Sequence, residues 1–144
     1  MATRINHAEQ YFKVRIESAS PMELIYMLYD GAIRDIEEAK TAAIKRDRTK
    51  FTDSIIHAQK CVGELRGALN FETGEIAIRL NNLYSYIITN LIEATLTREN
   101  NVSPLEGLKN ILLDLKNTWK KAEKQLQAQK TAAPLTQQSV CLSV

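Results

Sequence analysis

Residues that interrupt helices are scarce in this chain: five glycines and three prolines among 144 residues. That scarcity favours long, unbroken helices. Charge of one sign is lacking too. Nineteen basic and seventeen acidic residues leave a formal charge of +2, no electrostatic footprint for nucleic acid or an anionic membrane. No apolar run approaches the ~20 residues that span a bilayer, so membrane insertion is not expected. Residues 1–7 lack the apolar core of a signal peptide, which makes the cytoplasm the expected compartment. The two cysteines, Cys61 and Cys141, form no Cys-x-x-Cys, so neither a disulfide framework nor a redox motif is present. Cys61 reads as a small apolar filler, and Cys141-Leu142-Ser143-Val144 fits a prenylation signal poorly.

Catalytic vocabulary is missing as well. A di-metal site in a helical bundle needs Glu-x-x-His, but Ser54 precedes His57 and Arg4 precedes His7 at that spacing. No metal or cofactor is therefore expected. A Gly-rich phosphate loop and a Gly-x-Ser-x-Gly nucleophile motif are absent, and carboxylates are spread over polar faces. The expectation is a protein that is not an enzyme.

What is present is helix punctuation. In Ser20-Pro21-Met22-Glu23, Ser20 can accept from the backbone N–H of Glu23, while Pro21 occupies the first helical position, where a missing N–H costs nothing. Ser103-Pro104-Leu105-Glu106 repeats the device. The first box predicts helix 1 over about 21–45, with Ile25, Leu28, Ala32, Ile36, Ala39 and Ala43 inward and Asp35 outward. Helix 2, about 49–69, carries Phe51, Ile55, Ala58, Val62, Leu65 and Leu69 at alternating spacings of four and three, a bundle seam. Asn70 to Gly74 is a turn.

Helix 3, about 75–98, is unusual because no charge falls between Arg79 and Glu93. Its apolar residues, from Ile76 through Leu80, Leu83, Tyr84, Ile87, Ile88 and Leu91 to Ile92, cover roughly 180° of the circumference. A surface helix needs only ~100°. Either the helix is wedged between two neighbours, or part of the face stays open for a partner. Helix 4, about 104–127, shows Leu108, Leu112, Leu115, Trp119, Ala122 and Leu126 inward, with Lys109 and Lys116 on a lysine-rich outer face.

The predicted fold is all-α: an antiparallel up-down four-helix bundle spanning 20–128, with a short N-terminal arm (1–19) and a disordered, flexible C-terminal tail (129–144). Two function classes fit that pattern. One is a binding module that shields a partner's apolar segment, and the other a scaffolding bundle whose spare apolar surface closes a homodimer.

Taken in order, Tyr11, Ile16, Ala19-Ser20-Pro21, Glu23-Leu24, Met27-Leu28-Tyr29-Asp30-Gly31, Leu83-Tyr84-Ser85-Tyr86 and Trp119 resemble the FliS family of flagellin-specific export chaperones. The resemblance runs from about Tyr11 to about Leu126, with Thr118 departing from a common alanine. It implies a chaperone that binds the C-terminal segment of flagellin, prevents premature polymerisation and delivers it to the flagellar type III export gate. It also implies that Tyr11 and Ile16 belong to an arm able to lie in the client groove. Leu83, Tyr84 and Tyr86 match a helix 3 Leu-Tyr-x-Tyr, and Trp119 reads as core filling. The expected groove lies between the arm and helices 2 and 3, with Ile55, Leu83, Tyr84, Ile87 and Ile88 as contacts.

Overall fold

The computed structural model describes residues 10, 13–14, 17–97 and 102–142, with side chains through residue 131. Four long helices lie among the described residues: α1 (Pro21–Ile44), α2 (Arg48–Gly67), α3 (Glu75–Leu96) and α4 (Ser103–Leu142), with a 3-10 turn at Phe71–Thr73. Their boundaries follow from local chemistry. Ser20 Oγ accepts from the Glu23 N–H at 3.2 Å and Pro21 opens α1. Asp47 Oδ1 does the same for α2, accepting from the Lys50 N–H at 3.1 Å. Between them the chain reverses through a Schellman motif, with Arg46 N–H bonded to Ala43 C=O and Asp47 N–H to Ala42 C=O. Arg46 takes the left-handed angle, φ 58°, that glycine fills in most such motifs. Gly74 enters α3 at φ 86°, ψ −134°, a region closed to side chains in practice.

Paired side chains give the helix directions. Tyr26, Asp30, Glu37 and Lys40 of α1 meet Glu123, Lys116, Lys109 and Glu106 of α4, partner numbers falling as α1 rises. Arg48 bonds to the Thr95 and Thr97 carbonyls and Arg66 to Ser85, so α2 and α3 are antiparallel as well. α1 packs most extensively on α2, then α2 on α3 and α1 on α4, whereas the α3–α4 seam is short. The result is the antiparallel four-helix bundle expected from the pattern.

The core draws Tyr29, Ala32, Ile36, Ala39 and Ala43 from α1, and Phe51, Ile55, Ala58, Val62 and Leu65 from α2. α3 adds Tyr84, Ile87 and Leu91, and α4 adds Leu105, Leu108 and Leu112. Small residues along α1 let its neighbours approach closely. Some expectations need correction. Asp35 is buried, because His57 of α2 pairs with it. Lys109 and Lys116 are only 18% and 17% exposed, drawn into the α1–α4 seam by acidic partners on α1. Ala122 and Leu126 stand exposed, lining with Met22 of α1 an open pocket at the start of that helix. The α4 backbone is helical from Ser103 to Leu142. Residues 10, 13–14 and 17–18 of the arm are also helical.

Lys40, Glu37, Glu106 and Lys109 form a closed four-charge ring across α1 and α4. Hydrogen bonds from the two lysines hold both carboxyls below the usual range, and the carboxylates in turn push both lysines up. A depressed carboxyl stabilises the fold above its ordinary pKa and loses that contribution as pH falls through the depressed value. The Glu37→Gln, Glu106→Gln double variant should therefore show a modestly lower Tm than the parent at pH 7. The gap should close below about pH 4; a gap independent of pH would assign the effect to packing. Separately, Arg46→Gly should stabilise the protein by about 0.5–1 kcal/mol in urea titration, by relieving the left-handed residue. A loss of stability would contradict that account.

Candidate functional site

The rotation of α3 decides which of its apolar residues are available, and a buried polar contact sets it. Tyr29 Oη of α1 and Tyr84 Oη of α3 lie 2.5 Å apart, with ring centroids at 6.5 Å. Trp119 Nε1–H of α4 donates to Tyr29 Oη at 3.0 Å, so one hydroxyl ties three helices together. Burial raises both phenols above their ordinary pKa, Tyr29 strongly, so neither ionises at physiological pH.

With Tyr84 facing inward, residues at helical spacing from it, Ala77, Ile87 and Leu91, are inward too. Leu80 lies within that arc, while Ile78, Tyr86, Ile92 and Leu96 fall outside it. Ile78 is 52% exposed and Ile92 44%. Each lies seven residues from Ser85, within about 20° of its direction on the helix. Ser85 accepts from Arg66 of α2, so this strip runs along the α2 side of α3. On α2, Ile56 is exposed, and a Cβ added at Gly63, seven residues on, would meet nothing within 4 Å. Leu96, five turns on from Ile78 and in the same direction, is exposed on this strip too, and Tyr86 is exposed further round α3. On the opposite flank, Ile76 and Leu80 face a groove of about 220 Å³ bounded also by Ile25, Leu65, Leu69 and Trp119.

The contacts expected from the sequence therefore divide. Ile55 and Ile87 are fully buried and Tyr84 is 2% exposed, so they hold the core rather than present a surface. Leu83 and Ile88 are half-buried, roughly 140° apart around α3, and so open to different flanks. Tyr11 and Ile16 lie outside the described residues. Sequence reasoning treated the broad face of α3 as one surface and passed over Ile78, whose separation from the inward arc needed only the position of Tyr84. It also missed the convergence of Asp35, His57 and Cys61 at the α1–α2 seam. The four-residue step from His57 to Cys61 was its available signal.

This outward face is neutral and apolar on a bundle whose core is already filled. Such a surface serves binding rather than chemical transformation. Residues 4–126 match the family model described as "Flagellar protein FliS". The chain is 34% identical over 117 residues to the flagellar secretion chaperone FliSB of Pseudomonas aeruginosa, covering 77% of this chain and 90% of that one. It is 32% identical over 116 residues to the flagellar secretion chaperone FliS of Salmonella typhimurium, covering 76% and 84%. With the Bacillus subtilis protein of that name identity is 28% over 112 residues, covering 78% and 82%. The chain belongs to the FliS family, a family of flagellar secretion chaperones and not of enzymes. No helix among the described residues is long and apolar enough to cross a membrane.

Tyr29→Phe removes the hydroxyl bonded to both Tyr84 and Trp119 and leaves those two only each other. Its cost should be about 1–3 kcal/mol, and Tyr84→Phe, which leaves Tyr29 bonded to Trp119, should cost less. Urea unfolding followed by the fluorescence of the single tryptophan measures both. The reverse order would remove Tyr29 from the centre of the contact.

Proposed function

We propose that this chain is a cytoplasmic chaperone that covers the C-terminal segment of flagellin, prevents its premature polymerisation and hands it to the flagellar type III export gate. Membership of a secretion-chaperone family supports the class. The observation that carries the client's mode of binding is the exposed Ile78–Ile92 strip beside Ile56 and Gly63, on a fold that has no internal use for it. An amphipathic flagellin tail can lay its apolar side on this strip and approach the α2 backbone closely at Gly63. Because no charge falls between Arg79 and Glu93, covering α3 desolvates neutral groups of that helix, with Arg66 of α2 at Ser85 the one charge on the strip. Ile88 widens the strip on its inward flank, whereas Leu83, about 160° from Ser85, opens to the opposite side of α3; Tyr11 and Ile16 stay assigned to the displaceable arm. Ile55, Tyr84 and Ile87 act indirectly, by fixing α3. Ordering the tail costs conformational entropy, which keeps the complex releasable despite a large contact.

The Ile78→Ser, Ile92→Ser double variant should bind a flagellin C-terminal peptide roughly 10–100-fold more weakly. Its Tm should stay within about 2 °C of the parent. Ile55→Ala should do the opposite, lowering stability by about 2–5 kcal/mol through a core cavity while the strip is kept. Unchanged affinity in the double variant would refute this mode of binding. A client-free dimer that the same double variant dissociates would instead assign the strip to a second copy of the chain.

A further inference from the structure

His57 and Cys61 stand four residues apart on α2, and Gly31 and Asp35 four apart on α1, so two pairs of adjacent turns face each other across one seam. Asp35 Oδ2, His57 Nδ1 and Cys61 Sγ all lie within 4.8 Å of one another. The thiol sits 4.0 Å from the carboxylate oxygen and 3.9 Å from the imidazole nitrogen, while Asp35 and His57 are in direct hydrogen-bond contact. Gly31 makes the convergence possible, since a Cβ there would come within 3.2 Å of the Cys61 sulfur.

A nucleophilic relay does not fit this arrangement. It needs the imidazole to hold the thiol through one nitrogen and the carboxylate through the other, whereas both neighbours here share Nδ1. Three donors around one point is instead the arrangement of a coordination sphere. We propose that Asp35, His57 and Cys61 form a binding site for a divalent transition metal ion of the zinc or cobalt class, with water as the fourth ligand. One oxygen, one nitrogen and one sulfur donor suit such ions. Magnesium and calcium, which take oxygen ligands in larger number, are excluded by the same set.

A tetrahedral sphere with bonds of about 2.0–2.3 Å sets its ligand atoms about 3.3–3.6 Å apart. The sulfur must therefore close by roughly half an ångström and the Asp35–His57 contact must open by about one. The His57 side chain is 60% exposed and free to turn, so the adjustment falls on a side chain rather than on helix backbone. An adjoining pocket of about 590 Å³ gives a fourth ligand access, and Arg34 and Glu64 at its edge carry opposite charges.

Titrating the full-length chain with Co²⁺ alone, followed by absorption, tests the site. The expected result is one equivalent bound with a thiolate-to-cobalt charge-transfer band in the near ultraviolet. That band should vanish in Cys61→Ser and persist in Cys141→Ser. His57→Gln removes the imidazole but keeps a side-chain donor for the buried Asp35, and should weaken cobalt affinity at least tenfold. Zn²⁺ at a hundred times its Kd should raise Tm by about 5–10 °C in the parent and not in Cys61→Ser. Absence of the band in the parent, its survival in Cys61→Ser, or unchanged affinity in His57→Gln would each overturn the proposal.

Discussion

A hydroxyl-to-hydroxyl contact in the middle of the bundle, Tyr29 against Tyr84, governs what this protein shows to its surroundings. The two residues are 55 positions apart and sit on helices that do not follow one another in sequence. Dispersion alone specifies the rotation of α3 loosely, because apolar residues cover so much of its circumference. A buried hydrogen bond is less forgiving: a rotation that broke it would strand polar groups in a dry interior. Once Tyr84 is fixed, Ile87 and Leu91 are committed inward, and Ile78 and Ile92 are committed outward.

Electrostatics divides the molecule along the same line. The α1–α4 side is laced by Lys40, Lys109 and Lys116 with acidic partners whose carboxylates are half exposed. The outer face of α3 has almost no charge and exposes aliphatic side chains. A partner that covers apolar surface will therefore find α3 cheaper to desolvate than the charged seam. Dividing the bundle this way keeps the exposed apolar strip of α3 apart from the charged groups that bind α1 to α4.

Much of this was legible in the sequence, for identifiable reasons. The seam on α2, Phe51 to Leu65, follows a strict period and is buried as read. The Ser20 cap is likewise in place. The rotation of α3 was not legible, since a wheel with apolar residues over half its circumference has no single inward direction. Asp35 was misplaced because its partner, His57, lies on another helix, and only tertiary structure brings them together. Lys109 and Lys116 looked like a solvated face because long aliphatic stems with charged tips read the same whether they reach water or a carboxylate. The family resemblance located the helix 3 motif correctly in sequence. Motif membership does not distinguish Tyr84, a core residue, from Tyr86, an exposed one.

The claim on which the account rests is that the outward strip of α3 becomes buried against flagellin. Its most direct test is the heat-capacity change of binding, taken from calorimetric titrations of the full chain with a flagellin C-terminal peptide at several temperatures. Burial of an apolar face predicts a negative value, of order −0.3 kcal/mol/K, that shrinks when Ile78 and Ile92 are made polar. A change near zero, or one indifferent to those two residues, would contradict it.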